Sequence, residues 1–134
     1  MIVIDAGVAV TSVAEDGHFG DAARAILRSE RLAAPELIDL EVISGLRGLL
    51  RGGKLSMRRA EVALADFCRI PLRRTPHRRL VTRCWELRDN LTAYDASYVA
   101  LAELLGATLV TTDARLSRAP QIMCAVEVLS RGRQ

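Results

Sequence analysis

The amino-acid sequence predicts an α/β fold in which helices are layered on a mostly parallel central sheet. Short apolar runs rich in β-branched residues predict strands at residues 2–4, 108–111 and 126–129. The run Ile2-Val3-Ile4 does not alternate apolar and polar residues, which indicates burial on both faces and therefore a parallel sheet. Stretches with helical spacing separate these runs, and such alternation is typical of layered α/β proteins.

The first half of the chain also predicts two helices and a strand. Residues 19–30 have helical spacing, and residues 31–34 predict a short strand. Pro35 is suited to the first position of the next helix, because its missing N–H needs no partner there. We expect that helix to run through Leu50 and to end at Gly52-Gly53.

The second half begins with a helix that Ser56 can cap and that runs through Phe67. Residues 70–72 predict a short edge strand, and residues 76–90 return to helical spacing. Thr92 begins a further helix, which Gly106 ends before the strand at 108–111.

Length and composition indicate one domain over residues 1–134. The chain is 50% hydrophobic and 26% charged, which suits a globular core and excludes disorder. Stretches without a charged residue reach only nine residues, at 6–14 and 104–112, whereas a membrane helix needs about 20. No basic segment precedes Asp5, so we expect no secretory signal and a cytoplasmic location. The three cysteines are widely spaced and are expected to be buried apolar residues rather than zinc ligands.

Positive charge is concentrated in one part of the chain. Residues 1–50 have a net charge of −4, residues 51–83 have +8, and the remainder has −1. The basic block is either a surface that faces phosphate groups or a solvated helical face, and the sequence leaves both interpretations open.

Two carboxylates follow predicted strands. Asp5 comes directly after the first strand, and Asp113 lies two residues after Thr111. Because ligands bind at the carboxyl ends of strands in open parallel sheets, we expect both acids at the same edge. Each also has a simpler interpretation as a cap, Asp113 of a short helix at 114–118 and Asp5 of whatever element follows it.

Two further acids lie on predicted helices. Asp95 is in the first turn of the helix that begins at Thr92, next to Tyr98 on an otherwise apolar face. Alternatively, Asp95 completes a capping box with Thr92. Glu41 shares a stripe with Gly45 and Gly48, which predicts that another part of the chain approaches closely there. Alternatively, Glu41 faces solvent.

Together these four carboxylates predict a cation site. Two ionised carboxylates about 5 Å apart repel by roughly 3 kcal/mol at an effective dielectric near 20. A bound cation removes this repulsion, and ligands that are all oxygen favour Mg²⁺ or Mn²⁺ over zinc.

Four segments of the sequence resemble the PIN-domain family and, within it, the VapC-type toxins of toxin–antitoxin modules. They are Val3-Ile4-Asp5-Ala6, Pro35-Glu36-Leu37 leading into Glu41, the run at 91–102, and the run at 109–116, which reads Leu-Val-Thr-Thr-Asp-Ala-Arg-Leu. The resemblance covers nearly the whole chain and implies a three-layer α/β/α sandwich.

The resemblance implies a metal-dependent endoribonuclease in which Mg²⁺ or Mn²⁺ activates water for attack on an RNA phosphodiester. The implied metal ligands are Asp5, Glu41, Asp95 and Asp113, with Thr112 as a supporting hydroxyl. Candidate contacts to the RNA backbone are Arg73, Arg74, Arg78 and Arg79. Gly7 and Ser117 depart from the family, which often has Ser or Asn at the first position and sometimes a further acid or Asn at the second. These departures leave the metal affinity and the preferred ion open.

The resemblance also implies a cognate antitoxin that covers the acidic groove, and a homodimer. The alternative is a non-catalytic PIN-like module that binds RNA or protein and keeps its acids only as caps. Other classes of α/β protein lack their motifs here. Gly7 stands where a haloacid dehalogenase phosphatase has a second Asp, the only lysine is Lys54 where a receiver domain needs a late one, and no nucleotide-binding glycine motif is present.

Overall fold

A central sheet of five strands organises the computed structural model, which describes residues 1–131. The strands are β1 (Ile2–Ile4), β2 (Leu32–Pro35), β3 (Leu72–Thr75), β4 (Thr108–Thr111) and β5 (Val126–Val128). Their order is β3-β2-β1-β4-β5, and every neighbouring pair is parallel. The predicted parallel sheet is therefore confirmed, and β3 and β5 are its edges.

Helices cover the sheet in an α/β/α arrangement. They are α1 (Ala6–Ala14), α2 (His18–Ser29), α3 (Ile38–Arg51), α4 (Met57–Arg69), α5 (Val81–Glu86), α6 (Ala93–Leu105) and α7 (Ala114–Ser117), with a 3₁₀ turn at His77–Leu80. Helix α1 packs against α2, α3 and α4, whereas α6 packs against α5, the 3₁₀ turn, β1 and β2. Within residues 1–131, no helix combines the length and apolar character that a membrane crossing requires.

The core is centred on β1, β4 and α6. Val3, Ile4, Leu109 and Val110 are fully buried, which explains why these strands have no polar face. Helix α6 is buried at every residue from 96 to 102, so it packs as a central element rather than as an amphipathic surface helix.

The strand order reverses at the junction between β1 and β4. From β1 it passes outward to β2 and β3, then crosses back to β4 on the other side of β1. The register pairs Ile4 with Val110, and the Asp5 N–H donates to the Val110 carbonyl at 3.2 Å. Such a reversal leaves a crevice at the carboxyl ends of the two strands, where open α/β sheets bind ligands.

The predicted helix caps are largely confirmed. The Ser56 hydroxyl accepts from Arg59 N, and the Thr92 hydroxyl accepts from Asp95 N. Gly52 ends α3, and Gly106 ends α6 with a positive φ of 62°. These ends are set by local residues, which is why the sequence predicts them.

The interpretation of Pro35 was wrong, because Pro35 ends β2 and α3 begins at Ile38. The Glu36 N–H donates to Thr75 on β3, so the nitrogen of Pro35 faces the β1 side. The β1–β2 ladder has already ended at Val3 and Ala33, and no donor is needed there.

Several other boundaries also differ from the prediction. Helix α1 was not predicted, because its residues are apolar on nearly every side and show no amphipathic period. The edge strand lies at Leu72–Thr75 rather than 70–72, and the stretch 76–90 divides into the 3₁₀ turn, α5 and turns. None of the cysteines is buried: Cys68 is exposed, and Cys84 and Cys124 are half-buried.

Candidate active site

Asp5 lies at the crevice between β1 and β4 and is held in place by two hydrogen bonds. Its Oδ1 accepts from Val8 N at 3.0 Å and so caps α1, as predicted, while its Oδ2 accepts from the Thr111 hydroxyl. Burial raises the pKa of Asp5 above its ordinary value, and the nearby carboxylates of Asp95 and Glu41 raise it further, against the lowering effect of the two hydrogen bonds. Asp5 is therefore a desolvated carboxylate with two other acids beside it.

Thr111 connects the first and last acids and was not predicted as a site residue. It is fully buried, its hydroxyl donates to Asp5, and the same oxygen accepts from Asp113 N at 2.9 Å. The only indication in the sequence is a polar residue at the end of an apolar strand. The position of Thr111 beside Asp5 depends on the register of β1 and β4, which cannot be predicted from the sequence.

Glu41 is oriented by Tyr98, a second residue that was not predicted as functional. The buried Tyr98 hydroxyl donates to Glu41 Oε1 at 2.6 Å, and it bridges α6 and α3. Burial and the Glu41 carboxylate raise the pKa of Tyr98 far above its ordinary value, so Tyr98 remains a hydrogen-bond donor. The signal in the sequence was the position of Tyr98 three residues after Asp95 on the same helical face.

Asp95 is half-buried in the first turn of α6. Burial raises its pKa, and the Asp113 carboxylate raises it further, whereas the charge of Arg115 and the hydrogen bond from Thr92 lower it. Asp95 therefore lies within electrostatic reach of both Asp5 and Asp113. The four predicted acids form an electrostatically connected series from Glu41 through Asp5 and Asp95 to Asp113.

Asp113 is the N-cap of α7, as predicted, and is bound by an arginine of the same helix. Arg115 donates from Nε to Oδ1 at 3.0 Å and to Oδ2 at 3.1 Å, and from Nη2 to Oδ2 at 2.6 Å. The Arg115 backbone N–H also donates to Oδ1 at 3.0 Å. These bonds hold the pKa of Asp113 below its ordinary value.

Thr112 lines a groove of about 660 Å³ together with Glu41 and the backbone of Gly7. A Cβ atom at Gly7 would lie 2.3 Å from Thr112 Oγ1, so the side chain of Thr112 fills the space that a larger residue at position 7 would need. With Thr112 in this position, residue 7 has room for Gly but not for the Ser or Asn that the family often has there. The predicted close approach holds at Gly45, where a Cβ would lie 3.0 Å from Val10 Cγ2, and fails at Gly48, where the described structure leaves open space.

The acids fit a divalent metal in their chemistry. All the candidate ligand atoms are carboxylate oxygens, and the repulsion around the buried Asp5 is what a cation relieves. Within residues 1–131, however, no three Asp, Glu, His or Cys side chains are gathered closely enough to hold a metal ion. Two of the acids are turned to other partners, Glu41 to Tyr98 and Asp113 to Arg115.

The candidate RNA-binding arginines differ in their availability. The guanidinium of Arg74 pairs with both oxygens of Asp39, at 2.9 and 2.8 Å from Nε, and lies 5.7 Å from the centre of the Phe67 ring. Arg73, Arg78 and Arg79 are exposed and form no ion pair with another described residue. Arg78 and Arg79 lie in the 3₁₀ turn that follows β3, and Arg79 lines a groove with Glu103 and Leu104 in the second half of α6.

Comparisons with known proteins agree with this architecture. The family model described as PIN domain matches residues 2–122. The chain is 44% identical to Ribonuclease VapC9 of Mycobacterium tuberculosis over 131 residues, which cover 98% of this chain and all of the relative. It is 37% identical to Ribonuclease VapC1 of the same species, over 95% of this chain and 96% of the relative.

Solved structures are similar in fold. The crystal structure of PAE2754 from Pyrobaculum aerophilum has a TM-score of 0.69 at 25% identity, over 95% of this chain and 83% of that one. The structure of VapBC2 from Rickettsia felis, bound to a DNA fragment from its promoter, has a TM-score of 0.67 at 16% identity, over 96% and 98% of the two chains.

Proposed function

The chain belongs to the PIN-domain family, and on this premise we propose that it is a VapC-type toxin that cleaves RNA phosphodiesters at the carboxyl edge of its sheet. The observation that carries the proposal is the bridge through Thr111. One hydroxyl joins the ends of β1 and β4, and it brings Asp5 and Asp113 to the same crevice. Asp95 and Glu41 lie near enough to Asp5 to raise its pKa.

Each acid has a distinct part in the proposed reaction. Asp5, Asp95 and Asp113 would hold Mg²⁺ or Mn²⁺, which when bound lowers the pKa of water and offsets negative charge on the phosphate. Glu41 either completes this set or positions the attacking water. Its Oε1 is fixed by Tyr98, which leaves Oε2 to accept a proton from that water. Arg73, Arg78 and Arg79 provide positive charge for the RNA backbone, whereas Arg74 is already paired with Asp39.

A cognate antitoxin is the proposed protein partner. The groove next to Glu41 is lined by apolar side chains, among them Val10, Phe19, Leu49 and Val128. It suits a short amphipathic segment whose apolar side chains fill the groove and whose Arg or Lys reaches the acids. Growth arrest by the toxin should be relieved by co-expression of its antitoxin, and Leu49→Glu should weaken this relief.

A homodimer is proposed through an exposed apolar face. Leu40 and Ile43 on α3 are 67% and 50% exposed, and Trp85 and Tyr94 are 67% and 61% exposed. Leu37 and Tyr94 line both of the shallow grooves on this face, so the patch is continuous. An apolar surface of this kind is typical of a contact between protein chains.

Trp85 provides a direct test of the dimer, because it is the only tryptophan in the chain. Association through this face should shift its emission to the blue as the protein concentration rises. Leu40→Glu should remove the shift and give a monomeric mass by light scattering. An unchanged emission together with a dimeric mass would place the contact elsewhere.

The proposed function is tested first by thermal melting with and without millimolar Mn²⁺. A ligand that binds only the folded state at a hundredfold excess over its Kd stabilises the protein by about 2.7 kcal/mol. Wild type should be stabilised, Asp95→Asn should lose the effect, and Asp89→Asn, an exposed acid outside the site, should keep it.

RNA cleavage is then measured with the same variants. Wild type should produce fragments with 5′-phosphate and 3′-hydroxyl ends in the presence of Mn²⁺, and Asp95→Asn should produce none. RNA binding without either metal stabilisation or cleavage would favour the alternative, a non-catalytic PIN-like module.

A further inference from the structure

Arg115 forms hydrogen bonds with the carboxylate oxygens of Asp113, which the proposed function assigns to a metal ion. Its guanidinium donates to both oxygens of Asp113, and its backbone N–H adds a further bond to one of them. A carboxylate that is paired through both oxygens with a guanidinium presents few lone pairs to a metal ion. Asp113 is therefore engaged within the chain itself.

The same guanidinium acts beyond Asp113. Its charge lowers the pKa of Asp95, so it lies within electrostatic reach of two of the proposed ligands. Arg118 on the same short segment also carries a charge that Asp113 senses, but it forms no hydrogen bond with Asp113 among the described residues. A comparison of Arg115 with Arg118 therefore distinguishes the effect of direct pairing with Asp113 from the effect of a nearby positive charge.

The side chain of Arg115 is mostly exposed to solvent and can move away from Asp113. It is 78% exposed, whereas the side chain of Asp113 is 30% exposed. An ion pair this close to solvent is weakened by water and by salt, so its rupture costs little. A divalent cation at Asp113 and Asp95 would also repel the guanidinium.

We propose that Arg115 is an internal counter-ion of the acidic site, which pairs with Asp113 in the metal-free protein and which a divalent cation must displace. The inference rests on the proposed function, because it takes Asp113 to be a metal ligand. It explains why both oxygens of Asp113 are engaged by Arg115 although Asp113 lies at the same crevice as Asp5. Arg115 then raises, by a few-fold, the metal concentration at which the site becomes complete.

The test is a calorimetric titration of purified protein with Mn²⁺ in the absence of RNA. Arg115→Gln should bind Mn²⁺ roughly fivefold more tightly than wild type at low salt, because no guanidinium has to be displaced. The gain should shrink as the ionic strength rises. Arg118→Gln, the matched control, should change the affinity much less, because it removes a nearby charge and leaves the Asp113 pair intact.

The outcomes separate this inference from the proposed function. Equal affinities for wild type and Arg115→Gln, with binding lost in Asp95→Asn, would overturn the inference and leave the metal site standing. Equal gains in Arg115→Gln and Arg118→Gln would also overturn it, since general charge would then explain the effect. Absence of Mn²⁺ binding in both wild type and Arg115→Gln would overturn the metal-dependent function and this inference together.

Discussion

The Tyr98 hydroxyl donates a hydrogen bond of 2.6 Å to Glu41 Oε1 and thereby joins α6 to α3 across the candidate active site. Tyr98 is almost fully buried, while Glu41 lines the open groove. The core of the protein therefore fixes the direction of an acid at its surface. A carboxylate held in this way loses fewer conformations when it binds water or a metal than a freely rotating one.

Tyr98→Phe should keep the fold and lose this orientation. Loss of a hydrogen bond to a charged acceptor should lower the free energy of unfolding by about 1 to 2 kcal/mol, because Glu41 can recover part of the bond from water. RNA cleavage should fall more than stability alone predicts. Urea melts and cleavage rates test this, with Asp89→Asn, an exposed acid outside the site, as the control. Full cleavage activity in Tyr98→Phe would contradict an orienting role.

Gly7→Ala should be destabilising because of one contact. The added Cβ would lie 2.3 Å from Thr112 Oγ1, and a β-branched side chain has little freedom to turn away. Overpacking of this kind costs about 1 to 3 kcal/mol. In Thr112→Ala the same Cβ would meet only ordinary contacts, so the double variant should recover much of the loss. A double-mutant cycle measured by urea melts would show no coupling if the clash is relieved elsewhere.

Gly48→Ala should stabilise the protein, whereas Gly45→Ala should not. Both glycines lie inside α3, where replacement by Ala favours the helix by about 1 kcal/mol. At Gly48 the described structure leaves open space for a Cβ, while at Gly45 the Cβ would lie 3.0 Å from Val10 Cγ2. The contact should cancel the gain at Gly45. Thermal melts of the two variants form a matched pair, and equal stabilisation would mean that α1 moves aside easily.

Glu103→Gln should destabilise the protein at neutral pH and much less in acid. Burial alone would raise the pKa of Glu103, but hydrogen bonds from Arg83 and from Met123 N, with the charge of Arg83, lower it below its ordinary value. A depressed pKa in the folded state means that the stabilisation is present above about pH 4.5 and is lost as the pH falls through the folded value.

The expected loss for Glu103→Gln is about 2 kcal/mol at pH 7, as for hydrogen bonds to a charged group. Urea melts at pH 7 and near pH 3 measure it, and the exposed Glu61→Gln should show no such dependence. A loss that stays constant with pH would mean that the shape of the side chain matters rather than its charge.

The sequence predicts this fold well where local residues decide the structure. The strands at 2–4 and 108–111 and the helix from Thr92 to Gly106 carry their own signals, in apolar runs and capping residues. Helix α1 has a capping residue in Asp5 but no helical period, because it is buried on nearly all sides. Pro35 was misplaced because proline suits both a first helical turn and the unpaired end of a strand.

Only part of the candidate site, likewise, could be predicted from the sequence. The four acids could be proposed from their positions after strands and on helices. Thr111 and Tyr98 could not be assigned, because their roles depend on which strand lies beside which and in what register. Arg115 is two residues from Asp113, yet only its geometry shows that it pairs with both oxygens of the acid.

The arginines of β3 have a further consequence for the behaviour of the protein at high concentration. Strand β3 is an edge of the sheet, and within residues 1–131 its N–H and C=O groups on one side have no neighbouring strand. Arg73 and Arg74 are exposed along it, and the opposite edge, β5, exposes Glu127. Charged side chains on edge strands hinder pairing with a strand from another molecule, which protects a protein against aggregation. The basic residues of β3 therefore hinder extension of the sheet by a second molecule.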